Sequence, residues 1–198
     1  MNTEQRSYRQ DARAASAAGN TQRIMRATLE LFVERPFELV TLAAVAERAG
    51  VGMQTVIRRV GTKDGLVEAV GGWIAPQVRA ALGEPTSADP AIVAAAFRRH
   101  YTQWGAVLER TQNQQDSSPA LRSSAESGRA AHRHWIEMAF ADFLASVPGP
   151  ARTQAHSELV AVTGVELWLV LTKHEGLSPD KAENTVTTLI SACLAPPH

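Results

Sequence analysis

The fold is decided by TLAAVAERAGVGMQTVIRRVGTK, residues 41–63. Leu42, Val45, Ala46 and Ala49 recur at i, i+3, i+4 and i+7, one stripe of a short amphipathic helix. Thr41 stands just before that stripe, where its hydroxyl oxygen can accept an orphan backbone N–H as N-cap. Gly50 ends the helix, since an abrupt close needs a residue that tolerates positive φ. Val51 plugs the turn, and Gly52 or Met53 opens a second short helix in which Val56 and Val60 face inward. Met53, Gln54, Thr55, Arg58 and Arg59 are then left outside. Two short helices joined by a Gly-containing turn, the second polar and basic on its outer face, form the geometry that lays a helix in a DNA major groove. An ordinary helical hairpin is the alternative for the motif taken alone.

The flanks favour the first reading. Ile24, Ala27, Leu31 and Phe32 mark an amphipathic helix upstream, enough for a three-helix unit. Pro36 breaks that helix after Arg35, and Phe37 and Val40 close the small core from below. Downstream, Gly61-Thr62-Lys63-Asp64-Gly65-Leu66 ends the second helix and starts another.

On these residues, the stretch 21–70 resembles the DNA-binding domain of the tetracycline-repressor (TetR) family. The matching features are the helix Arg23-Ile24-Met25-Arg26-Ala27-Thr28-Leu29-Glu30-Leu31-Phe32, the Thr-capped helix from Thr41 to Ala49, the Gly50-Val51 turn and the Lys63-Asp64-Gly65-Leu66 ending. The match covers about the first third of the chain. Three positions depart from the pattern. Gly52 stands where the family often has a Ser that caps the recognition helix and can touch phosphate. Ile57 replaces a common phosphate-binding Tyr, and Val60 replaces a common Phe, a smaller plug in the core. The resemblance implies a homodimer in which the last two helices of each subunit form a four-helix interface. It also implies that Thr41 and Lys63 clamp phosphates on either side of the groove.

Composition sets bounds on the rest. A chain of 198 residues accommodates one small and one larger unit, and its 44% apolar content is that of a soluble protein. No uninterrupted apolar run approaches the ~18 residues of a membrane span, and the N-terminus carries no secretory pattern. The single cysteine, Cys193, excludes an internal disulfide and suits the cytoplasm. Net charge is zero, yet residues 1–65 hold ten Lys/Arg against seven Asp/Glu; with 20 of each overall, the head is basic by three and the remainder acidic by three. A mildly basic head on an acidic body suits a protein that touches DNA with one end through positioned contacts.

Residues 1–20 read as a disordered, flexible arm; the alternative is that Arg6, Arg9 and Arg13 enter a minor groove. A helix over 64–82 contains Gly71-Gly72 and Pro76, which predicts a bend or a hinge. Asp89-Pro90 starts a helix to about Arg110. A polar loop follows over 111–118, then a short helix over 119–127 and another over 128–147. Residues 151–173 are apolar around nearly the whole circumference, which predicts a helix buried on all sides, in part by a partner subunit. Ser178 caps a last helix.

The predicted architecture is therefore all-α. Residues 1–20 form the arm, 21–66 a three-helix DNA-binding head with a helix-turn-helix, and 67–198 a ligand-binding and dimerisation body. DNA-facing residues are Thr41, Gly52, Met53, Gln54, Thr55, Arg58, Arg59 and Lys63. Gln54 can pair with adenine, Met53 or Thr55 can meet a thymine methyl, and one of Arg58 and Arg59 can point at bases. Phe97, His100, Tyr101, Trp104, Trp135, Phe140 and Trp168 each read singly as helical core, and as a set as an apolar cavity for a flat or greasy ligand. Leu159, Val162, Glu166, Leu169, Val186, Leu189, Ile190 and Cys193 are the expected dimer interface, with Glu166 alternatively lining the pocket. His132 and His134 are rejected as a metal pair, because i, i+2 on a helix diverge. No G-x-S-x-G, G-x-x-x-x-G-K or H-E-x-x-H pattern is present, so neither catalysis, a metal nor a cofactor is expected. The reading is a ligand-responsive repressor, a homodimer on a palindromic operator released by a small apolar or aromatic effector. Its rival is a helical protein-interaction or small-molecule-binding protein with a vestigial head.

Overall fold

A computed structural model of the chain describes the backbone of residues 3–195 and side chains from residue 17 through 195. Every regular element among the described residues is helical. The helices are α1 (Thr3–Glu34), α2 (Leu42–Ala49), α3 (Met53–Val60), α4 (Lys63–Leu82), α5 (Pro90–Asn113), α6 (Pro119–Ala139), α7 (Ala141–Ser146), α8 (Gly149–Val162), α9 (Val165–Leu169) and α10 (Pro179–Leu194). They form two compact units. The first is Met1–Ile74 with Gln114–Arg122, the second Ala75–Asn113 with Ser123–His198. The division falls at Ile74, where the sequence suggested Leu66.

In the first unit, α1 packs on α2 and α2 on α3. Ile24, Leu31, Val45, Val56 and Leu66 are buried at its centre, with Phe37 and Val40 beneath them. Thr41 Oγ1 accepts from the Ala44 N–H at 3.1 Å, and Gly50 closes α2 at φ 62°. Arg48 holds α2 to α1 with a bidentate pair to Glu34, at 2.9 and 2.8 Å. That guanidinium keeps the Glu34 carboxyl below the usual carboxylate range. The unit also takes Leu121 into its core, and the Phe37 N–H donates to Gln114 Oε1 at 2.6 Å. Helix α1 begins at Thr3, upstream of the expected boundary at residue 21. Five alanines between residues 12 and 18 favour helix there. The side chains of Arg6, Arg9 and Arg13, expected on an arm, lie outside the described residues.

In the second unit α10 packs on α5 and α8, and α5 on α9. Phe97, Ile136, Phe140, Leu144, Leu159 and Ile190 are fully buried there. Arg98 of α5 grips Asp180 and Glu183 of α10.

Several elements differ from expectation. Helix α4 runs unbroken through Gly71, Gly72 and Pro76, so no helix end falls at those residues. Pro119 to Ala139 is one helix, and Gly128 does not divide it; the break comes at Phe140, whose side chain is fully buried. A single helical Gly costs only ~1 kcal/mol, less than its alanine-rich neighbours return. The apolar stretch 151–173 is not one helix. It breaks at Thr163-Gly164 and ends in a π-helical turn, Val170–His174. Leu159, Val165 and Trp168 are buried, while Val170 stays 41% exposed, so it is not covered on all sides within the chain. The run Gly149–His174 has the length and mean hydropathy (1.2) of a membrane span. It carries Arg152, Glu158, Glu166 and Lys173 and this central break, features uncommon in a membrane span.

Candidate functional site: a nucleic-acid interface and a separate cavity

Helix α3 is held from inside by Val56, which is 0% exposed, and by the half-buried Val60. With that side fixed, the 3.6-residue period turns Met53, Gln54, Arg58 and Arg59 to solvent; Met53 is 50% exposed and Thr55 half-buried. Gly52 caps the helix by backbone alone, its carbonyl taking the Thr55 N–H at 2.8 Å, which leaves the Met53 and Gln54 N–H groups open to an anion. Six of the eight positions read from sequence thus share this helix or its exposed Gly52 cap.

The remaining side chains divide by what they already hold. Thr41 is exposed, and its hydroxyl accepts the cap bond while its O–H can still donate to a phosphate. Arg59 donates to the Ala17 carbonyl of α1 at 3.1 Å. Arg58 makes no hydrogen bond or ion pair among the described residues, and of the two it is the one whose guanidinium is uncommitted. Lys63 turns inward: its ammonium donates to the Phe37 carbonyl and sits 4.0 Å from the Phe37 ring centroid. Burial lowers its pKa from the ordinary lysine value. Ile57, at the position of the common tyrosine, is half-buried and offers no hydroxyl.

The second unit holds a partly open cavity of about 490 Å³. Phe97, His100, Tyr101 and Trp135 line it, as the sequence suggested, and Glu166 borders it. Trp104, Phe140 and Trp168 do not. Phe140 and Trp168 are spent in the core, and Trp104 is buried in α5 away from the cavity with its Nε1 unpartnered. Phe97 is the hub of the wall. Its ring stacks on Tyr101 at 5.6 Å and takes edge contacts with Trp135 at 5.0 Å and His132 at 5.3 Å. The Trp135 indole N–H donates to the Gly83 carbonyl at 2.8 Å.

His132 was missed as a cavity residue. Its Nε2 lies 2.9 Å from Thr163 Oγ1, and the Tyr101 hydroxyl donates to the Thr163 carbonyl at 2.7 Å. Burial pushes the pKa of His132 down to about 4, helped by His100, Arg133 and His156. His100 is likewise pushed down to about 4 by burial, and its Nδ1 has no partner. Both imidazoles are therefore neutral at pH 7. Tyr101 is raised well above its ordinary value, chiefly by burial, and stays protonated. His134 also borders the cavity but is exposed, and no three His, Cys, Asp or Glu among the described residues gather to hold a metal.

The expected dimer set is corrected in part. Leu159 and Ile190 are 0% exposed and Val186 is buried within the chain's own core, so none can meet a partner. Helices α5 and α10 pack closely enough to cover those faces. Val162, Leu169, Leu189 and Cys193 remain half-buried and Glu166 exposed.

Compared with known proteins, residues 24–70 match the family described as bacterial regulatory proteins, tetR family. No curated protein matches the sequence. Among solved structures, a transcriptional regulator from Rhodococcus sp. Rha1 shares 17% identity at a TM-score of 0.65, covering 88% of this chain and 95% of its own. A putative transcriptional regulator from Pseudomonas aeruginosa PAO1 gives 17% and 0.65, covering 88% and 89%. At that identity the likeness speaks for the fold across both units, whereas the family match falls on the helices that build the basic outer face of α3. On that head the family likeness rests: residues 24–70 match the tetR family of bacterial regulatory proteins over the helix-turn-helix, and the solved structures share the fold.

Proposed function

We propose that the chain is a ligand-responsive repressor, a cytoplasmic homodimer that binds a roughly palindromic operator and is released by a small apolar or aromatic effector. The observation that carries this is the division of α3, with Val56 wholly inside and Gln54, Arg58 and Met53 outside. Two such helices one DNA turn apart, ~34–36 Å, read two half-sites. Gln54 and Arg58 offer the bidentate groups for adenine and guanine, Met53 and Thr55 the apolar contact for a thymine methyl. Thr41, the Gly52 amide end and Arg59 contact phosphate, and Lys63 contributes its field while its ammonium braces Phe37. The dimer forms on Val162, Leu169, Leu189, Cys193 and Glu166, the half-buried and exposed members of the α8–α10 set.

Connectivity supports a route for the effector. Gln114–Arg122 belongs to the first unit, yet Thr111 and Gln112 before it and Ala125 and Gly128 after it line the cavity. Gln114 holds the Phe37 N–H, and Ser117 donates to Glu38. A ligand that binds one arrangement of these flanks more tightly shifts the head between states by that difference in affinity.

Selection from a random DNA pool with the full-length chain tests the reading. The expected yield is an inverted repeat, lost when Arg58 and Arg59 are both replaced by Ala. Loss of the usual tyrosine at Ile57 favours the rival, a protein-interaction module with a vestigial head; it is supported if no motif emerges and the double variant behaves as the parent.

A further inference from the structure

Thr163 fixes which nitrogen of His132 carries the proton. The Thr163 hydroxyl lies 2.7 Å from the Leu159 carbonyl oxygen, which can only accept. The hydroxyl proton must therefore go to Leu159, for otherwise two oxygens would face each other at that distance with nothing between them. Thr163 Oγ1 is left as an acceptor toward His132, so the contact at 2.9 Å is Nε2–H donating to oxygen. The neutral ring then carries its bare lone pair on Nδ1, which has no partner among the described residues. The ring also meets Phe97 edge-on at 5.3 Å.

Three other polar groups of the wall are committed. Tyr101 donates to Thr163, Trp135 to Gly83, and Thr111 to Val107. His100 is buried and neutral, with its own Nδ1 also unpartnered. On the aromatic and imidazole side chains of the wall, the atoms still open to hydrogen bonding are therefore acceptors, while the half-buried Gln112 amide offers both kinds. The charged neighbours are of both signs: Arg79, Arg133, Glu84 and Glu166 are exposed and Arg129 is half-buried, and none is fully buried.

We infer that the cavity takes an uncharged aromatic molecule bearing a phenol-type hydroxyl, its rings against Phe97 and Trp135 and its O–H donating to His132 Nδ1. This rests on the effector reading of the cavity and sharpens it, since a ligand without a donor leaves a desolvated imidazole nitrogen unpaired. At His132 Nδ1 a carboxylate would meet a neutral acceptor and lose its hydration there for nothing.

The test is calorimetric titration of the full-length protein with para-phenylphenol, its methyl ether and para-phenylbenzoate, alongside His132→Phe and Thr163→Val. The phenol is expected to bind about five- to tenfold tighter than the ether, the worth of one hydrogen bond. In His132→Phe, with folding verified by circular dichroism, that preference should vanish while the ether binds as before. Thr163→Val should shrink it, because the ring is freed to take either tautomer. Equal affinity for phenol and ether, tightest binding of the benzoate, or a preference that survives His132→Phe overturns the inference. The nitrogen NMR spectrum of His132 gives a second readout that needs no ligand: an Nδ1–H signal in the apo-protein also overturns it. DNA release is scored separately. A phenol preference without release preserves the site chemistry and removes only the effector role.

Discussion

His132 Nε2 and Thr163 Oγ1 meet at 2.9 Å, joining α6 to the break between α8 and α9, with the partners 31 residues apart in sequence. Thr163 serves three groups at once: His132, the Leu159 carbonyl and the Tyr101 hydroxyl. Thr163→Val keeps the shape and leaves the His132 N–H unpaired, at a cost of about 1–3 kcal/mol. Thermal unfolding should show a Tm lowered by several degrees for Val and little change for Thr163→Ser, which restores the hydroxyl. A Val variant as stable as the parent would mean that this contact holds nothing.

The two buried imidazoles make the fold acid-sensitive. Each is pushed down to about 4 in the folded protein, against an ordinary value near 6.5. The unfolded chain therefore binds more protons between those values, and stability should be complete above pH ~6.5 and fall as the pH drops toward 4. Urea midpoints measured across that range check the sign. His132→Phe should flatten the slope, and an unchanged slope in both His132→Phe and His100→Phe would contradict it.

Two glycines of α4 should respond oppositely to alanine. A Cβ on Gly65 would stand 2.1 Å from the Val60 carbonyl oxygen, a backbone atom that cannot yield without undoing the turn between α3 and α4. Gly65→Ala should destabilise the head by at least about 2 kcal/mol and abolish DNA binding together with it. A Cβ on Gly72 meets nothing within 4 Å, so Gly72→Ala should stabilise by about 0.5–1 kcal/mol. Chemical denaturation of both variants distinguishes them.

The cap on α2 carries a separable effect. Thr41→Ala removes the acceptor for the Ala44 N–H and should cost about 1 kcal/mol. Thr41→Asp should retain the cap yet weaken DNA binding, because a carboxylate then faces the phosphates. Comparing denaturation midpoints with filter-binding affinities separates the cap from the phosphate contact.

The head was legible because its signals are local. Thr41, Gly50, and the spacing of Val45, Ala46, Val56 and Val60 each act within one or two turns, and the structure returns each where the pattern put it. The body was harder because its signals come from partners far along the chain. The i, i+2 spacing of His132 and His134 argues against a metal pair, but nothing nearby revealed that Thr163 would hold one of them. Phe140 and Trp168 resemble Phe97 and Trp135 in composition, and only packing decides which rings face the void. The same holds for Leu159, Val186 and Ile190: an apolar stripe states that a face is covered, not whether a neighbouring helix or a second subunit covers it. Thr163-Gly164 breaks a run whose apolar content promised continuity, and there the tertiary bonds of Thr163 prevail over propensity.

The central claim is that the outer face of α3 reads DNA sequence. It is tested most directly by measuring, at one fixed moderate salt, the affinities of the parent, Gln54→Ala and Arg58→Ala for a selected operator and for random duplex of equal length. Each substitution is expected to weaken operator binding about 10- to 100-fold, the worth of one lost bidentate base contact, while changing random-duplex binding severalfold at most. Equal losses on both duplexes, or no preference for any duplex by the parent, would contradict it.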